Sequence, residues 1–256
     1  MKKLLPKKIA LILFLLCLSE ISQAQIYDEL GFVGIGLSES KHIFVGEESS
    51  STFNFLLYYD NAKNRKFAID GPNLYVPVFN FYKTIGIGLK GFYRANEGFT
   101  EGNQVFKDAK INPRGNSLDG GIYLGNLTAN ISVVSDFTGL TAGNEISLYV
   151  GPAFEWGRVI LNPYLNFLKK SKNLTAYYYT LTKNESKWLG LDYYEAKEST
   201  KSVLGFRTLI KYKKFYFTGI LEGGTYSKEI KDSPIVERDS YSSVLVGFSY
   251  IFLPWN

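Results

Sequence analysis

The sequence predicts an all-β chain: a closed antiparallel transmembrane β-barrel of twelve strands, following a cleaved signal peptide. Three observations predict it. The last strand alternates between an apolar and a largely polar face, the N-terminus reads as a secretory leader, and the connections between strands are short at one end and long at the other.

The final strand is the clearest. Val244, Val246, Phe248, Tyr250 and Phe252 share one face, and Ser243, Leu245, Gly247, Ser249 and Ile251 share the other. That is how a strand reads with lipid outside and a polar lumen inside. Phe248, Tyr250 and Phe252 are therefore expected to form the assembly signal read by the barrel assembly machinery.

At the other end, Lys2, Lys3, Lys7 and Lys8 precede an apolar run from Ile9 to Leu18, followed by Ser22-Gln23-Ala24. A charged start, a short apolar stretch and a small-residue site describe a signal peptide over residues 1–24. The barrel then occupies residues 25–256. Removing four Lys and Glu20 from 29 basic and 24 acidic residues leaves 25 and 23, so the net charge falls from +5 to +2. The basic pI is thus no footprint of nucleic-acid binding, which needs a clustered basic surface. The only cysteine, Cys17, leaves with the leader. Tyr and Phe, 19 of each, are more than a soluble β domain readily hides, but suit a lipid face and interfacial girdles.

Period-two segments place strands near 30–38, 52–60, 65–71, 73–80, 83–95 and 117–126. Six more lie near 127–137, 144–156, 157–168, 200–211, 213–226 and 240–252. In 144–156, Ile146, Leu148, Val150 and Phe154 face outward; in 200–211, Leu204, Phe206 and Ile210 do so. Ten strands is the alternative, if 65–80 is one bent strand or a loop. Turns after even-numbered strands are short, and connections after odd-numbered ones are mostly long, chiefly 39–51, 96–116, 169–199 and 227–239. This asymmetry puts short turns in the periplasm and long loops outside. Aromatics beside the short turns, Tyr58, Tyr59, Phe81, Tyr82, Trp156, Tyr212, Phe215 and Phe252, are expected to form a periplasmic girdle.

The inward faces carry Lys90, Arg94 and Arg207 with Asp119, Asp136, Glu145, Glu155 and Glu222. Two readings follow: a salt-bridged lumen that closes the barrel, since buried charges must pair, or a selectivity lining for a solute. In the 169–199 loop, Thr182-Lys-Asn-Glu185 is a capping box and predicts a helix from Lys183 to Leu189, stopped at Gly190. Tyr177, Tyr178, Tyr179, Trp188, Tyr193 and Tyr194 gain little in water, so the loop is expected to plug the extracellular mouth. Removing Lys183–Glu195 is then expected to open the barrel.

No catalytic, cofactor or metal site is expected. Gly86-Ile-Gly-Leu-Lys-Gly91 matches a nucleotide-binding spacing but lies inside an alternating strand, not at a strand-to-helix turn. His42, the sole histidine, lies in a long loop; one histidine without cysteine makes a poor zinc site and a poor start for a Ser-His-Asp arrangement.

The order of local motifs resembles the MipA/OmpV family of MltA-interacting outer-membrane proteins. The strongest match is Ser233-Pro234-Ile235-Val236 followed by the strand from Ser243 to Phe252. Gly151-Pro152 with Trp156, Tyr177-Tyr178-Tyr179-Thr180 with Gly190-Leu191 and Tyr194, Asp136-Phe-Thr-Gly139 and Asp70-Gly71-Pro72 fit further positions. Tyr179 and Thr180, which replace the usual Gly-Val pair, and the Leu253-Pro-Trp-Asn256 tail depart from the pattern. The resemblance implies a non-enzymatic barrel in the bacterial outer membrane, embedded in its lipid, that scaffolds murein hydrolase and synthase enzymes. Narrow channels or porins, and adhesins, are the alternatives within the family.

Overall fold

The computed structural model describes residues 29–253, apart from 48, 62–65, 83–84, 96 and 100–101. The signal peptide expected over residues 1–24, and residues 254–256 of the tail, lie outside the described residues.

Thirteen strand segments run in chain order: β1 Glu29–Lys41, β2 Ser49–Asn61, β3 Ala68–Asp70, β4 Asn73–Tyr82, β5 Ile85–Arg94, β6 Ser117–Gly125, β7 Ala129–Asp136, β8 Asn144–Val150, β9 Phe154–Trp156, β10 Val159–Lys170, β11 Ser199–Tyr212, β12 Phe215–Tyr226 and β13 Ser240–Leu253. Each pairs antiparallel with its neighbours, and β13 returns to β1, with Val246 opposite Leu37, closing the barrel. Closure pairs the first and last strands, so neither is left as an edge to aggregate or to lie unpaired in lipid.

β8 and β9 are two pieces of one stave. Both pair with β10 in a single register, Val150 opposite Leu165 and Phe154 opposite Leu161. The break falls at Gly151-Pro152, where proline has no N–H to give the ladder. Asn162 fills the gap by donating from Nδ2 to the Gly151 and Pro152 carbonyls, at 2.8 and 2.9 Å. Counted as staves, the barrel therefore has twelve strands. The ten-strand alternative fails because β3 and β4 form a true hairpin, Ile69 opposite Leu74 and Asp70 opposite Asn73. Gly71, with φ 56°, supplies the left-handed turn residue.

β3 is only three residues long, so it meets β2 at Tyr58 and Tyr59 alone. Gly71 N–H adds one bond to the Leu57 carbonyl at 3.0 Å, and above it, among the described residues, β2 is paired on its β1 side only.

The facing follows the sequence reading. Val244, Val246, Phe248, Tyr250 and Phe252 are exposed outward, while Ser249 and Ile251 are buried inside. Leu204, Phe206 and Ile210 on β11, and Phe217 and Leu221 on β12, continue the apolar outer belt. Inside, tyrosines lie over directly opposite glycines. Tyr164 packs on Gly205, Tyr241 on Gly224, and Tyr123 on Gly88. A Cβ at Gly205 would sit 2.0 Å from the Tyr164 ring. Of the glycines in the Gly86–Gly91 spacing, Gly88 serves inward ring packing, and the segment lies within a strand.

The girdle has one correction. Phe81, Trp156, Tyr212 and Phe252 are exposed, and Phe215 stacks on outward Phe248 with ring centroids 4.7 Å apart. Tyr58 instead faces inward and stacks on Phe32 at 5.4 Å, because its register parity is that of the lumen face. The Tyr82 side chain lies outside the described residues.

Phe252 closes the outer face of β13, and Phe252→Ala is expected to lower the yield of inserted barrel. Heat-modifiable, folded protein in the outer membrane measures this; wild-type amounts would remove Phe252 from the assembly signal.

Candidate functional site

Three layers fill the barrel. At the long-loop end the loops fold into a lid. It contains α1 Gln104–Asp108, α2 Lys172–Tyr179, α3 Lys183–Leu189 and α4 Lys228–Lys231. Its apolar core joins Ile43, Phe44, Phe99, Phe106, Leu174 and Ile235 with Tyr178 and Tyr179, all buried. Phe44 stacks on Tyr179 at 5.8 Å, and Phe99 on Phe106 at 3.9 Å. Burial pushes the Tyr179 phenol well above its ordinary pKa.

Polar ties fix the lid's parts to one another. Gly115 N–H donates to the Tyr177 hydroxyl at 2.9 Å, and Arg114 pairs with Glu185 at 2.9 Å. The capping box forms as the sequence predicts: Glu185 Oε2 accepts from the Thr182 N–H at 2.9 Å, and Gly190 ends α3 at φ 68°. The Ser233–Val236 segment is a clasp. Ser233 Oγ donates to the Tyr179 carbonyl at 2.7 Å, the Ile235 carbonyl accepts from Val45 N–H at 3.0 Å, and Glu237 N–H donates to the Ile43 carbonyl at 2.7 Å.

Of the six aromatics expected in a plug, Tyr178 and Tyr179 are 1% exposed, and Tyr177 and Tyr194 pack against the core. Trp188 and Tyr193 do not. They are 60% and 49% exposed: Trp188 on α3 and Tyr193 beyond its end face solvent.

Below the lid lies the ionic layer. Arg94, 2% exposed, gathers three carboxylates: Asp119 at 2.6 Å, Glu145 at 2.9 Å and Glu97 at 3.0 Å. Fully buried Lys170 also pairs with Glu97. Burial alone would raise the Glu97 pKa, but Lys170 and Arg94, with Lys201, hold its carboxyl well below the usual range. Arg207 pairs with Asp70 at 2.9 Å. Lys90 donates to Ser132 Oγ at 3.1 Å. Glu222 accepts from the Tyr164 hydroxyl at 2.6 Å and from the Tyr241 hydroxyl.

The structure thus brings Arg94, Asp119 and Glu145 into one cluster, and places Lys90, Arg207 and Glu222 elsewhere on the inner wall. Two expected lining residues lie apart. Asp136 turns the 137–143 loop, accepting from the Thr138 and Thr141 N–H groups at 2.7 and 2.6 Å, the usual local bond of an aspartate at a turn. Glu155 sits past the Gly151-Pro152 break and is exposed at the short-turn rim. Glu97, Lys170, Asp70 and Lys201 were not anticipated. Asp70 alone carried a signal, as part of Asp70-Gly71-Pro72.

At the short-turn end an apolar layer projects into the lumen: Leu30, Phe32, Ile160, Leu209, Tyr216 and Ile251. Between this layer and the lid is a cavity of about 510 Å³. On its rim His42 Nε2 lies 2.6 Å from Ser50 Oγ. No carboxylate engages the other ring nitrogen among the described residues, so the pair lacks the third member of a triad. Among the described residues no group of three His, Cys, Asp or Glu is placed to hold a metal, and no helix is long and apolar enough to cross a membrane.

The family model described as MltA-interacting protein MipA matches residues 33–252. Proteins of Escherichia coli K12 and O157:H7 carrying the name outer membrane protein YiaT are 27% identical over 128 residues. That match covers 49% of this chain and 51% of YiaT, so the chain spans about half the length of the curated relatives it matches. Among solved structures, a bacterial polysaccharide outer membrane secretin aligns over 88% of this chain and 99% of its own, with TM-score 0.39 and 10% identity. OmpT of Vibrio cholerae aligns over 86% and 98%, with TM-score 0.35 and 6% identity.

Proposed function

The chain belongs to the MipA family of MltA-interacting proteins, and from that premise we propose a closed, non-conducting outer-membrane barrel that works through interaction, not transport. One observation supports the reading: two apolar clusters stand in the lumen, the buried core of the lid at the long-loop end and the group around Phe32 and Tyr216 at the short-turn end. A conducting pore needs a continuous polar path, and an apolar constriction sheds water. The buried Arg94 cluster is saturated by its own carboxylates, which suits a rigid wall better than a changing solute. No step of catalysis is assigned to the His42–Ser50 pair. The partner class proposed is murein hydrolase and synthase enzymes, after the description the family carries.

The test has two parts. In planar bilayers the intact protein is expected to stay at the bare-membrane baseline. Removing Lys183–Glu195 alone, which the sequence reading expects to open the barrel, is expected to leave it shut, because the lower layer remains. Opening is expected only when Lys172–Glu195 is removed together with Phe32→Ala and Tyr216→Ala. Stable conductance from the intact protein would establish a channel instead. Affinity capture from gently solubilised outer membranes is expected to retain murein hydrolases or synthases; their absence from the eluate would refute the scaffold.

A further inference from the structure

The cavity between lid and lower layer has a use that neither a scaffold nor a structural wall requires. We propose that it is a binding site for a small neutral polyhydroxylated molecule, of mono- or disaccharide size. Its volume, about 510 Å³, lies within the range of small-molecule pockets, roughly 300–1,000 Å³.

Two walls define the chemistry. One is a ladder of hydroxyls and amides: Ser38, Ser40, Thr52, Asn54 and Ser243, on β1, β2 and β13. These side chains donate and accept, as sugar hydroxyls do. The other wall is aromatic. Tyr179, Tyr226 and Tyr241 form a line, with ring centroids 6.5 and 5.9 Å apart, and Tyr164 continues it below. Aromatic faces pack against the apolar C–H faces of a pyranose ring while the hydroxyls turn to the polar wall.

Charge selects neutrality. The groups on and immediately behind the lining are Lys41, Lys90, Arg94, Lys170, Lys201 and Arg207 against Asp70, Glu97, Asp119, Glu145 and Glu222. Six cations face five carboxylates, a near balance that leaves the site little net field to select an ion. Two of these groups keep unused hydrogen-bonding capacity at the cavity surface. Glu222, held by its two tyrosines, retains lone pairs for incoming hydroxyls. Lys201 lies 4.2 Å from the Tyr241 ring centroid and 5.3 Å from that of Tyr226, with no carboxylate within 4 Å among the described residues. Its three N–H donors are available to a ligand. Asn166 Oδ1, also on the lining, is buried without a partner. Acceptors, donors and ring faces converge on one chamber.

The experiment is titration calorimetry of the folded, full-length mature barrel in a detergent without sugar headgroups, since a maltoside would compete. The probes are maltose, D-glucose, D-glucuronate and D-glucosamine. Maltose or glucose is expected to bind, and the charged analogues to bind about tenfold more weakly. Glu222→Gln and Tyr241→Phe are each expected to weaken neutral-sugar binding by about tenfold or more, with heat-modifiability unchanged. Lys187→Gln, exposed on α3 and outside the cavity lining, is expected to bind as wild type. Should either cavity variant fail to fold, Ser243→Val provides the same test from the opposite wall. Absence of heat with every sugar overturns the proposal. So does tighter binding of glucuronate or glucosamine than of glucose, or binding indifferent to Glu222→Gln, Tyr241→Phe and Ser243→Val. Conductance and partner capture are separate measurements, so failure here leaves the interaction reading standing.

Discussion

Arg94→Met is expected to destabilise the folded barrel by roughly 3–5 kcal/mol, the cost of leaving buried charges unpaired. The guanidinium holds Asp119 by two nitrogens, Nε at 2.9 Å and Nη2 at 2.6 Å, while Nη1 spans Glu145 and Glu97. Without it, Glu97 keeps Lys170, while Asp119 and Glu145 have no cation within 4 Å among the described residues. Urea refolding titrations in lipid vesicles measure the loss. The triple variant Arg94→Met, Asp119→Asn, Glu145→Gln should recover most of it, because neutral side chains no longer demand a cation. An unchanged midpoint in Arg94→Met would mean that water solvates these carboxylates, and that the ionic layer is open to solvent.

Much of this was legible in the chain, because period-two patterning reports a wall that separates two solvents. Val246 and Leu245 could be assigned to opposite faces from their neighbours alone, and the capping box at Thr182 and Glu185 is a local signal. The ionic layer was only half legible. Arg94, Asp119 and Glu145 lie on strands, where parity puts them inside. Glu97 lies in a loop without parity, and its partner Lys170 is 73 residues away. Arg207 finds Asp70 across 137 residues. Such pairings are decided by which staves the closed ring brings face to face, which no local pattern encodes. Trp188 and Tyr193 fail for a related reason. Aromatic content argues that a loop folds back, but not which side of each helix meets the core. Asp136 carried inward parity, yet Thr138 and Thr141 two and five residues on offered its carboxylate nearer partners.

The facing itself can be tested by one charge at adjacent positions of β13. Val246 points outward in mid-strand and is 61% exposed on the apolar belt, whereas Leu245 lines the cavity opposite Ile220. Val246→Arg puts a guanidinium against lipid hydrocarbon and is expected to cost roughly 2–4 kcal/mol. Leu245→Arg aims the same group into a chamber of about 510 Å³ whose wall carries Glu222 two strand residues beyond Ile220, so it has both room and a carboxylate. Its cost should be clearly the smaller of the two. Overpacking works against Leu245→Arg and helps Val246→Arg, so the order is a demanding one. Refolding titrations in lipid that gave the reverse order would shift β13 by one residue. Because β13 is paired with both β1 and β12, that slip would turn the neighbouring strands over with it and put the hydroxyl ladder of Ser38 and Ser243 into the membrane.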